Sequence, residues 1–372
     1  MAMTLDGSNG VTFNDASLQG AAASPFGLKN RIINGDMVID QRNAGASVTP
    51  NISYTLDRWL GLNSQTGKFT VQQNAGSVTP PSGFTNYLGV TSSSAYSVAS
   101  GDYFGILQPI EGYNISDLDF GAASAKTITI SFLVRSSLTG TFGGSLRNSA
   151  TNRSYPFTYT ISSANTWEQK TVTIAGDTTG TWLTTNGVGM FVNFSLGAGS
   201  TFSGTAGAWA ASNFTSATGA TSVVGTNGAT FYITGVQLER NTTATPFEWI
   251  PYGTELALCQ RYYEKSYNVD VVPGTNTSVS ILGPTGIQGS TTANEISATG
   301  FFRVTKRATP TMVYYDPVGN VGKCNRVQQG IANNNNSSIL DNAVGANMFS
   351  GYSGSGATAS AIMFHYTASA EL

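Results

Sequence analysis

The chain has 372 residues, enough for two sandwich-sized domains that each bury a core of their own. Charged residues make up 10% of it, with a formal net charge of -2, so Ser, Thr, Asn, Gln and Gly must wet its surface. Such a surface gives little hold to nucleic acid or anionic lipid, and no stretch reaches the roughly 18 apolar residues that span a bilayer, which argues against both kinds of partner.

Forty-three glycines and abundant Thr, Val and Ile predict many short strands joined by tight turns, with little helix. Residues 1–27 carry Leu5, Val11, Phe13 and Leu18 between turn signals and end in Ala21-Ala22-Ala23-Ser24-Pro25. That is too little for a core, and we read an attachment arm with a linker. The first ten residues, with Asp6 and no basic run, do not read as a secretory signal. An external location is therefore expected to be reached by another route, such as lysis of a host by a virus.

From Leu28 the pattern becomes that of half-buried strands. Ile128, Ile130, Phe132 and Val134 share one face, as do Met190, Val192, Phe194 and Leu196. Phe231 and Ile233 stay in phase with Val236 and Leu238 only if one residue is inserted, which predicts a β-bulge at Gly235. The stretch 197–228, rich in Gly, Ser, Ala and Thr, predicts long surface loops. A helix is expected from Thr254, as its cap, to about Lys265, with Leu256, Cys259 and Tyr263 on one face. Alternation returns over 267–372 and closes on Ile362, Phe364 and Tyr366. The expected domains are thus 1–27, 28–253, a linking helix over 254–266, and a second, smaller sandwich over 267–372.

Catalytic chemistry finds little purchase. The chain has one histidine, His365, expected on a strand face, and two cysteines, Cys259 and Cys324, expected as buried thiols. No Cys or His cluster has metal spacing and no Gly-Lys motif cradles phosphate, so no cofactor, no metal and no enzyme activity are expected. Glycoside hydrolysis would need two carboxyls about 5 to 10 Å apart. Asp36 with Asp40, and Asp117 with Asp119, have suitable spacing but sit among polar neighbours like ordinary turn residues. Asp57-Arg58-Trp59 reads as a local ion pair beside a core Trp. Sugar recognition rests instead on aromatic rings and neutral hydrogen-bonding groups. Trp209 in its Gly and Ala rich loop, and Tyr96 and Tyr103 flanking Ser100-Gly101-Asp102, are the candidate glycan platforms.

Asn30-Arg31-Ile32-Ile33-Asn34-Gly35-Asp36-Met37, then Tyr54-Thr55-Leu56-Asp57-Arg58-Trp59, resembles the opening of carbohydrate-binding-module-like jelly rolls in bacteriophage tail-fibre and spike proteins. Phe231 to Glu239, Thr245-Pro246-Phe247-Glu248 and Pro251 to Tyr263 extend the likeness. The resemblance implies an all-β chain: an arm, a jelly-roll β-sandwich, a short helix and a smaller C-terminal β-sandwich. It further implies a virion protein, a tail fibre or receptor-binding subunit adhering to host cell-surface glycans. The partners would be other virion proteins through the arm and further copies of itself, three in number. It also raises a structural calcium between Asp36 and Glu239, whose plainer reading is two strand-end carboxylates. A head or collar spike without a specific receptor, and a glycan-degrading spike, stay open as alternatives. Tyr262, Tyr263, Tyr267, Tyr314 and Tyr315 are the rings expected at the subunit contact.

Overall fold

The computed structural model describes residues 28–283, 296–327, 337–353 and 361–372 in full, with only the backbone of a few strand segments beyond them. The expected arm lies outside the described residues, apart from three short paired strands, Thr4–Asp6, Gly10–Thr12 and Leu18–Gln19.

The first domain is a jelly-roll β-sandwich of two antiparallel sheets. Its strands are β1 (Ser53–Leu56), β2 (Trp59–Asn63), β3 (Phe69–Gln73), β4 (Leu88–Ser92), β5 (Tyr103–Glu111), β6 (Ile128–Ser136), β7 (Gly140–Asn148), β8 (Ser154–Ile161), β9 (Glu168–Ile174), β10 (Val188–Ala198) and β11 (Thr230–Glu239). One sheet runs β8-β7-β10-β5-β2-β1 and the other β9-β6-β11-β4-β3. Period-two alternation explains the layering: Ile128, Ile130, Phe132 and Val134 of β6 and Met190, Val192, Phe194 and Leu196 of β10 meet in one core with Trp59, Phe157 and Phe231. The bulge falls where the phase slip places it. Pairing of β11 with β6 shifts register between Thr234 and Gln237, and Gly235 takes φ 61°, a conformation that favours glycine.

The stretch after β10 is less loop-like than its composition suggests. It holds a short parallel pair, Ser203–Gly204 with Ser216–Ala217, and buries Val223 and Val224 in the core. Two valines side by side, flanked by Ser and Gly, carry no period that would reveal their burial.

The helix is shorter than its sequence pattern and starts earlier. α1 spans Tyr252–Gln260, its N-cap is Pro251, and Thr254 makes no capping bond. Residues 263–265 instead form β12 (Tyr263–Lys265), because the last strand offers them a ladder. Besides the two-residue strand Gln288–Gly289, which pairs on the edge of β13, the remaining strands are β13 (Glu295–Phe301), β14 (Thr311–Tyr315), β15 (Lys323–Gln328), β16 (Ile331–Ser338), β17 (Leu340–Val344), β18 (Met348–Gly354), β19 (Ala359–Met363) and β20 (His365–Ser369). They pair as β12-β20-β14, β13-β18-β17 and β16-β15-β19, around a core of Ile296, Tyr314, Phe349, Phe364 and Tyr366.

The familiar motifs lock this assembly together. Glu248 accepts the backbone N–H groups of Leu28 (2.8 Å) and Asn30 (2.8 Å), clamping the incoming chain. Gly35 passes so close to β11 that a Cβ there would lie 2.2 Å from the Val236 carbonyl oxygen. Asn34 is a hub: its amide donates to the Ile39 (2.8 Å) and Asp57 (3.0 Å) carbonyls, its side-chain oxygen accepts from Ile39 N–H (2.9 Å), and its own N–H meets Glu255 of α1. The Trp59 indole donates to the Asn34 carbonyl at 2.9 Å.

Asp57 and Arg58 do not form the local ion pair expected of them. The two residues form the tight turn between β1 and β2, with Arg58 at φ 68°, and each side chain finds its own partner. Asp57 accepts from Gln41 N–H (2.7 Å) and the Gln41 amide (2.6 Å), while Arg58 pairs with Glu371 and lies 3.6 Å over the Tyr262 ring. Glu371 also takes Arg42 at 2.7 Å. On the other side of the joint, Glu111 takes Arg261 at 2.6 Å and the Tyr262 hydroxyl at 2.6 Å. The tyrosines expected at a subunit contact are therefore spent inside one chain: Tyr262, Tyr263, Tyr267 and Tyr314 are buried, and Tyr315 is half-buried. Tyr262 and Tyr263 pack against Arg58 and Arg42 at the seam between domains, while Tyr314 joins the core of the second domain and Tyr267 packs on Tyr315 and His365.

Candidate functional site

On β7, Phe142 and Leu146 enter the core, so alternation sends Gly143, Ser145 and Arg147 to the outer face of the six-stranded sheet. On β10 the same parity puts Phe191 and Asn193 on that face, with Phe191 directly opposite Arg147. The segment 199–222 folds back across it. Ala210 bridges to Ser154 on the edge strand, Ser154 Oγ donates to the Ser212 carbonyl (2.7 Å), and Asn193 Nδ2 donates to the Thr215 carbonyl (2.7 Å). Gly143 permits this cover, since a Cβ there would come 2.4 Å from Ser216 Oγ.

Arg147 sits inside the cover, 6% exposed, with Nη1 donating to Asn213 Oδ1 at 2.8 Å and its Cζ 5.4 Å from the centroid of the Phe191 ring. Its Nε has no partner and no carboxylate pairs with it among the described residues. Other arginines do better: Arg42 and Arg58 share Glu371, Arg153 holds Asp177, and Arg261 holds Glu111. Burial pushes the Arg147 guanidinium down to about 10, opposed by the Tyr103 hydroxyl, which lies within electrostatic reach. Ser145 Oγ, Asn193 Oδ1 and Ser216 Oγ also lack partners. Along the same face Phe191 stands half-exposed opposite Arg147, and Tyr103, six residues from Phe191's partner Pro109 along β5, stands half-exposed and edge-on to Phe202 at 4.8 Å. Rings, amides and one unneutralised cation on a rigid sheet are equipment for binding.

Of the three platforms nominated from sequence, Tyr103 is on this face. Tyr96 is half-buried: its hydroxyl donates to Asp102 (2.8 Å), its ring meets Phe104 edge-on, and Lys68 stands 4.4 Å from its centroid. Trp209 belongs to another cluster, with Phe120, Tyr155 and Trp182, and its indole donates to the Ala175 carbonyl at 2.8 Å. Arg147 escaped notice because an arginine facing outward from a strand looks solvated. The clue was its setting, between Gly143, Ser145 and a sheet neighbour as apolar as Phe191.

Asp40, Asp117 and Asp119 are engaged elsewhere. Asp40 accepts from Asn43 and Gly45 N–H in a turn, Asp117 pairs with Arg31 and Arg240, and Asp119 pairs with Lys126. Glu239 is held by Gln237 and Thr245, and no group of three or more His, Cys, Asp or Glu that could hold a metal gathers among the described residues. His365 is buried, stacked on Tyr267 at 3.9 Å, and both cysteines are free and buried. Two cavities, of about 180 Å³ beside Ile32 and Leu258 and about 390 Å³ beside Asp40 and Tyr252, lie at the domain joint.

No protein-family model and no curated protein matches the sequence. Solved structures match the chain at low identity and low TM-score. The enzymatically active domain of bacteriophage CBA120 tailspike protein 4 is 15% identical (TM-score 0.29), over 56% of this chain and 21% of that one, so the likeness spans about a fifth of the tailspike domain. A family 11 carbohydrate-binding module from Clostridium thermocellum, in complex with a mixed-linked tetrasaccharide, is 12% identical (TM-score 0.27), over 53% of this chain and 98% of that one. A CBM61 module in complex with β-1,4-galactotriose is 12% identical (TM-score 0.28), over 57% and 99%.

Proposed function

We propose that this chain is a non-enzymatic virion subunit of a phage fibre or spike, which adheres to host-surface glycan through the outer face of its six-stranded sheet. The observation that carries the reading is the run along that face of half-exposed Phe191 beside Arg147 and Asn213 and, further along β5, of half-exposed Tyr103 against Phe202. The apolar face of a pyranose lies against such rings, and its hydroxyls bond amide and guanidinium groups. The motifs that suggest a phage fibre are spent on internal locks, so they speak for family and leave recognition to other residues.

The test is binding of the full chain to a panel of bacterial surface polysaccharides. Phe191→Ala and Tyr103→Ala are expected to lose glycan binding with little change in melting temperature. Trp209→Ala, which removes a ring packed on Phe120, Tyr155 and Trp182, is expected to lower the melting temperature and keep binding. The reverse pattern would move the site to the Trp209 cluster. Labelling of purified virions with an antibody against the chain tests the virion role.

A further inference from the structure

Arg147 is costly where it stands. A buried guanidinium without a counter-charge loses hydration that one neutral amide does not replace, and at the domain joint the buried Arg58 and the half-buried Arg42 each have a carboxylate. The Arg147 side chain is nine-tenths buried, its Nε is unpartnered, and it lies beside the half-exposed Phe191 ring on the face already assigned to glycan. The charged groups of the sheet's nearer strands are paired or turned away: Asp102 is held by Tyr96 and Ser64, and Glu111 by Arg261. The depression of the Arg147 pKa by burial agrees with a cation that water and protein leave undersupplied.

We propose that the glycan bound here is acidic, with an anionic sugar oxygen meeting the Arg147 guanidinium while the sugar ring lies on Phe191. The proposal rests on the glycan reading above and narrows its substrate class. A carboxylate of a uronic or sialic acid and a phosphate ester share the required chemistry, since both accept the paired N–H groups of a guanidinium. The anion would supply the missing counter-charge, so binding and relief of the buried charge occur together.

The experiment presents the full-length chain with a printed panel of bacterial capsular and O-antigen polysaccharides, each spotted native, carboxyl-reduced and dephosphorylated. Native acidic glycans are expected to bind, and removal of the charged group to weaken them by at least about tenfold. Loss on reduction identifies a carboxylate, and loss on dephosphorylation a phosphate. Arg147→Gln is expected to lose the same hits while Phe191→Ala loses all of them. Equal binding to native and neutralised copies, or unchanged acidic binding by Arg147→Gln, overturns the acidic assignment and leaves the glycan reading standing. Absence of binding to every glycan overturns both. The comparison of native with neutralised copies uses the unmodified chain, so it decides the matter even if the Arg147 variant does not fold.

Discussion

Replacing Asn34 with alanine tests whether the Asn-Gly-Asp motif is a structural hub. The side chain is fully buried and satisfies three backbone groups, the Ile39 carbonyl, the Asp57 carbonyl and the Ile39 N–H. Each buried backbone group left unpaired costs about 1–3 kcal/mol, and relaxation makes such costs less than additive, so their sum is roughly 4 kcal/mol. Asn34 also sits at φ 58°, where alanine is worse by about 1 kcal/mol. For a domain of this size that total corresponds to a fall in melting temperature of about 10–20 °C. Scanning calorimetry on the full chain measures it, with exposed Asn51→Ala as the control for loss of an asparagine. A fall of under about 4 °C, the equivalent of roughly 1 kcal/mol, would refute the hub.

Burial pushes Glu255 up to about 7 from an ordinary value of 4.5. Its stabilising contribution is therefore complete below about pH 4.5 and lost as pH rises through about 7. Glu255→Gln keeps an acceptor for Asn34 N–H, so it is expected to flatten the decline in melting temperature between pH 5 and 8; an unchanged slope would sink the idea. Asp57, raised by burial to about 6, should keep a smaller decline in the same direction. Gly35→Ala is expected to prevent docking of the segment ahead of β1 onto β11 and to give largely insoluble protein, whereas Gly45→Ala, which meets open space at φ 80°, costs about 1 kcal/mol. Soluble Gly35→Ala with an unshifted melting temperature would contradict the close approach.

Much of the sandwich was legible because its signals are local. Period-two runs in β6 and β10 and the phase slip at Gly235 need only a few neighbouring residues to read. The end of α1 was not legible, since residues 263–265 become a strand by pairing with Thr367–Ser369, about a hundred positions away. The same distance hid the fate of the tyrosines at 262 and 263, which lie at the domain seam, and of Tyr314, which lies in the second core: amphipathic rings suit a subunit contact equally well. Arg58 was misassigned for a related reason, its true partner Glu371 being 313 positions downstream. At the candidate site Tyr103 was legible as a ring near a loop. Arg147 was hidden because its burial comes from the returning segment 199–222, whose composition reads as solvent-facing.

The bond from Arg58 to Glu371 also bears on how the protein is made. The core of the first sandwich draws on residues 32–238, so it can collapse while later segments are still being translated. Its joint with the second domain cannot close then, because Arg58 stays without its counter-charge until position 371 has emerged from the ribosome. A chain that stops short of Glu371 keeps a buried cation unsatisfied at the seam, a defect that destabilises truncated products and marks them for proteolysis.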